Sequence, residues 1–159
     1  MNCAALAGLT LALCGQVNLT SDAPRWSANV DSAGATMTML QTPDAKVAVD
    51  IVSDGAKEHY PKLRIQFSQP QDWSRYMRMR LKMRVTSDNA EIRSKQAVVV
   101  FYDEKTRRED LADRPMTQQG IWHSAPPGKW VEYTDWLLGI KRTAIRQVDI
   151  YLYDAAPAK

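Results

Sequence analysis

Apolar and polar residues alternate along most of the chain beyond residue 20, and the clearest run lies at 76–86. One side of this run is apolar: Met77, Met79, Leu81, Met83 and Val85. The other side is basic: Arg78, Arg80, Lys82 and Arg84. Because a strand points successive side chains to opposite faces, this period of two predicts a β-strand with one buried face and one solvent-exposed face.

The same period predicts further strands at 36–40, 46–52, 63–67, 130–136 and 147–153. Residues 97–102 are apolar throughout, which predicts a central strand covered on both faces. A short strand is expected at 121–122 and one helical turn within 139–146, whereas no stretch of ten or more residues has a helical period. Turn residues such as the Pro-Pro-Gly at 126–128 separate the runs. The predicted fold class is all-β, a two-layer antiparallel β-sandwich of the jelly-roll type.

The first fifteen residues differ in character from the rest. Between Cys3 and Cys14 they are small or apolar apart from Thr10, which is typical of the core of an export signal. The Leu-Ala-Leu before Cys14 resembles the lipid-attachment signal of bacterial lipoproteins, although Leu13 is larger than such signals require. We therefore divide the chain into an export-signal-like segment, 1–15, and a single β-sandwich domain, 16–159. The protein is expected to be secreted, periplasmic or held at the cell surface, with no transmembrane segment because the apolar stretch is too short.

Composition narrows the class of ligand. The chain has 159 residues, enough for one domain with a hydrophobic core. Its formal charge of +3 is too mild to indicate a nucleic-acid partner. There are five Trp and six Tyr but only two Phe. Trp and Tyr combine a flat apolar ring with a polar edge, so this bias suits partly hydrated surfaces as well as a core.

Three stretches carry a resemblance to a known family. They are Trp73-Ser74 with the strand 76–85, the Pro-Gly-Lys-Trp-Val-Glu-Tyr at 127–133, and the alternating run 143–153. Over roughly residues 60–155 the chain resembles the galactose-binding-like jelly rolls that occur as carbohydrate-binding modules of bacterial polysaccharide-degrading enzymes. The resemblance implies a sugar-binding sandwich and, as the one cofactor, a structural calcium. An aspartate of the last strand would hold that ion, which indicates Asp149 or Asp154.

Sugar rings stack on aromatic planes, and their hydroxyl or acidic groups need paired donors and acceptors. The candidate ligand-binding residues combine these types on strand faces and loops: Arg78, Arg80, Lys82, Glu132, Tyr151, Tyr60 and Trp122. If the outer sides of 76–86, 130–136 and 147–153 coincide, they form one concave surface. The arginines would then read acidic sugars such as uronates or sulfated chains. The other interpretation is a solvated face, with the cations paired across strands to Glu132 and Asp149.

Other candidates carry less chemistry. Trp73, Trp130 and Trp136 are expected to close the ends of the core. His59 and His123 are the only histidines, and no nucleophile elbow, phosphate loop or metal motif accompanies them. The leading hypothesis is a non-catalytic carbohydrate-binding module that recognises a polysaccharide. The alternatives are an accessory sandwich that packs against a catalytic domain and, third, a small lyase or hydrolase with a histidine in a cleft.

Overall fold

A computed structural model describes residues 2–12, 16–19, 25–30, 35–41, 43, 47–53, 61–87, 95–103 and 119–154. Eleven strands in these ranges form two sheets. Sheet A contains β1 Asn2–Ala12, β2 Gln16–Asn18, β4 Ala35–Leu40, β5 Val47–Ser53, β7 Arg78–Ser87 and β10 Val131–Trp136. Sheet B contains β3 Ser27–Asn29, β6 Lys62–Gln71, β8 Lys95–Asp103, β9 Gln119–Ala125 and β11 Ile145–Asp154.

Every strand pair is antiparallel, with the order β10-β7-β1-β5-β4 in sheet A and β3-β6-β11-β8-β9 in sheet B. β2 lies outside this order and pairs with β1 in sheet A. Most successive strands belong to different sheets, so the chain crosses repeatedly from one sheet to the other. The predicted all-β sandwich is confirmed, and the strands predicted beyond residue 20 lie within one to four residues of those observed.

The core lies between the sheets because the apolar sides of both face inward. Sheet A contributes residues such as Val49 and Leu81, and sheet B contributes Ile65, Val99 and Ile150, all nearly or fully buried in one cluster. Burying a side chain of this size contributes about 1.5–3 kcal/mol relative to leaving it in water. The alternation in the sequence therefore decides which side of each strand faces the partner sheet.

Two expectations about local structure have different outcomes. Residues 97–102 of β8 are buried on both faces, as predicted for a central strand. The helical turn expected within 139–146 was wrong: residues 137–140 make a turn, and β11 begins at Ile145. The turn is closed by the N–H of Ile140, which donates to the carbonyl of Leu137 at 3.0 Å. With a strand starting so soon, no room remains for a helix.

The export-signal-like segment has a place in the fold. Residues 2–12 form β1, which lies between β7 and β5 and pairs with both. The described sheet thus begins before residue 16. A short apolar run suits both a covered strand and a signal core, so its pattern alone does not separate the two. Removal of this segment as a signal stays a prediction. Among the described residues, no helix is long and apolar enough to cross a membrane.

Candidate functional site

The outer side of sheet A displays the basic stripe of β7 beside the aromatic residues of β10. We call this surface the basic face. Its members on β7 are Arg78, Arg80, Lys82 and Arg84, and its members on or next to β10 are Trp130, Glu132, Thr134 and Trp136. The register places Arg78 opposite Trp136, Arg80 opposite Thr134, and Lys82 opposite Glu132. Since Met79, Leu81 and Met83 are buried, their neighbours along β7 must point outward.

Cations lie against indole rings at both ends of the basic face. The guanidinium of Arg78 lies 4.1 Å from the ring centroid of Trp136. At the other end, the guanidinium of Arg84 lies 5.0 Å from the ring of Trp130, and Nζ of Lys82 lies 5.6 Å from it. All three contacts fall within the range of cation–π attraction, which is worth about 0.5–1 kcal/mol at an exposed site. The rings therefore hold the cations over the strand surface.

One ion pair crosses the middle of the basic face. Nε of Arg80 lies 3.2 Å from Oε1 of Glu132, and the two side chains are 57% and 49% exposed. Water and salt screen such a pair, so it contributes only about 0–1 kcal/mol. A ligand anion can therefore compete with Glu132 for Arg80 at small energetic cost. The cross-strand pairing expected for the stripe is found here, but not between β7 and Asp149.

The tryptophans of the sequence divide between core and surface. Trp73 is buried, as expected, and makes edge-to-face contacts with Phe67 and Phe101 at centroid distances of 5.5 and 6.3 Å. The expectation that Trp136 closes the core was wrong, because this side chain is 57% exposed on the basic face. The alternation of side chains along β10 explains the error, because Trp136 and the exposed Glu132 point to the same side of the strand. Trp130 is half-buried.

The outer side of sheet B carries a different polar cluster, centred on Asp149. This side chain is fully buried, and its partner Arg64 is only 21% exposed. Arg64 donates from Nε to Oδ1 at 2.8 Å and from Nη2 to Oδ2 at 2.7 Å. The amide of Gln147 donates to both oxygens at 3.0 and 3.1 Å. Bidentate, charge-assisted pairing of this kind is what allows a carboxylate to be buried.

Two tyrosines extend this cluster. The hydroxyls of Tyr102 and Tyr151 lie 3.1 Å apart, and Nζ of Lys62 lies 5.0 Å from the ring centroid of Tyr151. Burial raises the pKa of Tyr102 far above its usual value of 10.0, and the hydrogen bond with Tyr151 and the charge of Asp149 act in the same direction. The pKa of Arg64 is also raised, chiefly by its hydrogen bonds to Asp149, so the guanidinium stays charged.

The predicted single concave surface was wrong, because its members lie on opposite faces of the sandwich. Arg78, Arg80, Lys82 and Glu132 belong to sheet A, whereas Asp149 and Tyr151 belong to sheet B. Asp149 also makes a poor calcium ligand here, since its oxygens already accept hydrogen bonds from Arg64 and Gln147. Within the described ranges, no three metal-ligating side chains come together.

The remaining predicted residues are dispersed. Trp122 is exposed on β9, in sheet B, away from the basic stripe. Asp154 ends β11 opposite Lys95, and Tyr60 lies outside the described residues, as does His59. Sequence reasoning missed Arg64, although its parity between the buried Leu63 and Ile65 marks it as a residue of the outer face.

The second histidine, His123, links the edge strand of sheet B, β9, to the edge strand of sheet A, β10, through its side-chain contacts. Nε2 of His123 on β9 lies 2.7 Å from Oδ2 of Asp135 on β10. The imidazole stacks on the ring of Tyr133 at a centroid distance of 3.9 Å, and the hydroxyl of Tyr133 donates to the carbonyl of Ser124. Ser124 alternates with His123 along β9 and belongs to the other face of the strand, so its hydroxyl is not aligned with the histidine as a nucleophile.

A pocket of about 380 Å³ opens at one end of the sandwich. Its walls combine apolar and polar side chains: Leu19, Arg25, Gln66, Phe67, Ser68, Gln71 and Trp73. Both glutamine amides of the lining already make hydrogen bonds within the protein. Gln66 donates to the side-chain oxygen of Gln147 and Gln71 donates to the carbonyl of Gln69, both at 2.9 Å. His123 does not line this pocket. The basic face therefore displays more charged side chains than the pocket.

Comparisons with known proteins add little to this geometry. No protein-family model matches the chain, and no curated protein matches it. Among solved structures, the chain is similar to the trimeric lipoprotein SadB of Salmonella enterica, with 8% sequence identity and a TM-score of 0.31. The match covers 84% of this chain and 64% of that protein. So loose a superposition carries no argument about function.

Proposed function

We propose that this protein is a non-catalytic module, acting outside the cytoplasm, that binds an acidic polysaccharide on the basic face. The main support is Trp136, a large aromatic side chain that is 57% exposed and carries the guanidinium of Arg78 at 4.1 Å. An indole kept in water beside a cation is suited to a ligand that offers both an apolar ring face and a negative charge. A uronate or sulfated sugar offers both.

The charges of the face favour an anionic ligand over a neutral one. Four cations line β7, and the one acid opposite them, Glu132, is held by a weak exposed pair with Arg80. Arginine binds carboxylate and sulfate oxygens through two parallel hydrogen bonds. Binding should therefore weaken as salt concentration rises, because the contacts lie on an exposed surface.

The test is affinity electrophoresis followed by calorimetry, with alginate, pectate and chondroitin sulfate as acidic polymers and galactomannan as the neutral polymer. We expect binding to at least one acidic polymer. The combined substitutions Arg80→Gln and Lys82→Gln should weaken it by about tenfold or more, the effect of residues central to an interface.

Lys141→Gln is the control, because it removes an exposed cation that belongs to neither β7 nor β10. It should change affinity by less than about twofold, as expected for a charge at a distance on the surface. Equal losses of affinity in both variants would mean that net charge, rather than the position of the cations on β7, determines binding. Failure of every acidic polysaccharide to bind would refute the proposal.

A second candidate is an accessory sandwich that docks on a catalytic domain. It is favoured by Leu138, a large apolar side chain that is 64% exposed and follows the exposed Trp136 by two residues in the chain. Exposed apolar patches mark protein interfaces when they are large and continuous. Leu138→Ser separates the two functions, because it removes apolar surface without adding charge and should disrupt protein docking while polysaccharide binding is unchanged.

A further inference from the structure

The basic face has a repeated arrangement that bears on the shape of its ligand. One indole–cation unit consists of Trp136 and Arg78, at 4.1 Å. A second consists of Trp130 with Arg84 and Lys82, at 5.0 and 5.6 Å. Both units combine the same two kinds of group, and they lie at opposite ends of one strand pair.

The spacing of the two units is set by the strand. Trp130 and Trp136 are six residues apart, which corresponds to about 20 Å along an extended strand at ~3.4 Å per residue. Between them lie Thr134, opposite Arg80, and Glu132, opposite Lys82. A chain that follows β10 would pass one indole, then polar and charged groups, then the second indole.

Positive charge on sheet A extends in one direction only. The neighbouring strands β1, β4 and β5 contain no Lys or Arg, and β5 contains Asp50. A ligand that crossed the strands would leave the cations after one or two strand spacings of about 4.8 Å each. A ligand that ran parallel to β7 would stay beside cations over the whole distance between the indoles.

We infer that the basic face binds an extended, linear polyanion parallel to β7, with both indole–cation units engaged by one chain. This rests on the proposed function and deepens it: the module recognises internal stretches of an acidic polysaccharide rather than chain ends. A short oligosaccharide can occupy only one unit at a time, whereas any stretch of a long chain that spans about 20 Å can occupy both, so recognition needs no chain end. Simultaneous contact at two linked sites raises affinity steeply once the ligand spans both.

The experiment is a length series of oligosaccharides from whichever acidic polymer binds, measured by calorimetry from the disaccharide upward. We expect affinity to rise by about tenfold or more, as for joining two linked sites, until the extended length reaches about 20 Å, and then to level off. Trp136→Ala and Lys82→Gln should each remove this gain for long oligosaccharides while changing the binding of short ones little. Lys82 is exposed, so its variant tests the second unit without disturbing the half-buried Trp130.

The possible failures are distinguishable. A disaccharide that binds as tightly as a long chain, or a long chain insensitive to one of the two units, would overturn the inference and leave the proposed function standing. Partial depolymerisation at constant mass adds a second readout. More bound protein per mass of polymer after depolymerisation would indicate end recognition and overturn the inference, whereas unchanged binding supports internal recognition. Absence of binding to every acidic polymer would refute the proposed function itself.

Discussion

On sheet B, Arg64 holds Asp149 through two hydrogen bonds of 2.7 and 2.8 Å, and on sheet A, Arg80 meets Glu132 at 3.2 Å. Both pairs link neighbouring strands on an outer face, and both have aromatic residues beside them. They differ in burial: Asp149 is fully buried, whereas Glu132 is 49% exposed. An arginine–carboxylate pair is thus buried within the fold on one face and remains exposed to solvent on the other.

The energetic consequence follows from desolvation. A buried carboxylate has lost its water and depends on its protein partners, so removal of one partner leaves a charge that nothing solvates. An exposed carboxylate exchanges its partner for water at little cost. We therefore expect the sheet B pair to control stability and the sheet A pair to control affinity.

The largest expected effect comes from Asp149→Asn. The variant leaves the guanidinium of Arg64 without its counter-charge, and loss of one member of a buried pair typically costs 3–5 kcal/mol, so we expect about 3 kcal/mol here because Arg64 reaches some solvent. Urea unfolding followed by circular dichroism gives the free energy of unfolding. A loss under about 1 kcal/mol, the range of an exposed pair, would remove the contrast between the faces.

The next effect concerns alkaline pH and Tyr102. Because burial raises the pKa of Tyr102 in the folded state, the unfolded chain releases this proton first, at about pH 10. Below that pH the contribution of Tyr102 to the free energy of unfolding does not change with pH. Above it the unfolded state binds fewer protons than the folded state, so stability falls by about 1.4 kcal/mol per pH unit for this group.

The measurement compares Tyr102→Phe with the parent chain on either side of about pH 10, the unfolded tyrosine value. Phe removes the titrating hydroxyl and its hydrogen bond with Tyr151, while the lysines remain the same in both proteins. The variant should start slightly less stable at neutral pH and lose stability less steeply with alkali. Identical slopes in the two proteins would show that the Tyr102 environment does not oppose ionisation.

The smallest expected effect on stability belongs to Glu132→Gln. Because the pair with Arg80 is exposed, the free energy of unfolding should change by less than about 1 kcal/mol. Affinity for an acidic polysaccharide should increase by a few-fold, since the variant removes a negative charge from the basic face and releases Arg80. A fall in affinity on calorimetry would mean that Glu132 contacts the ligand directly, for example through sugar hydroxyls.

The sequence predicts the strands better than it predicts which faces meet. The alternation in β7 identifies Leu81 as core and Arg80 as surface, because a period of two is a local property. The sheet to which a strand belongs depends on pairing between distant segments. The alternative interpretation, in which Asp149 pairs with the cations of β7, therefore fails, because its partner Arg64 lies 85 positions earlier on β6. Nothing in the spacing of these residues encodes that pairing.

The exposed tryptophan illustrates the same limit. Trp136 is expected in the core because tryptophan is a large apolar residue. Its side chain nevertheless points outward, because along β10 it lies on the same side of the strand as the exposed Glu132. The alternation along 130–136, taken without regard to residue type, predicts that Trp136 is a surface residue. The indole–cation contacts could not be predicted, because they need the register of β7 against β10.

The strict alternation of β7 also constrains how this surface can change. Substitutions at even-numbered positions from 78 to 84 alter the outer surface alone, so the proposed binding surface can diverge between related sequences while the interior packing is conserved. Insertion or deletion of a single residue within the strand would act differently. It would shift each later side chain to the opposite face, turning arginine inward and methionine outward in one event. Libraries aimed at new ligands should therefore vary residue identity in β7 and keep its length constant.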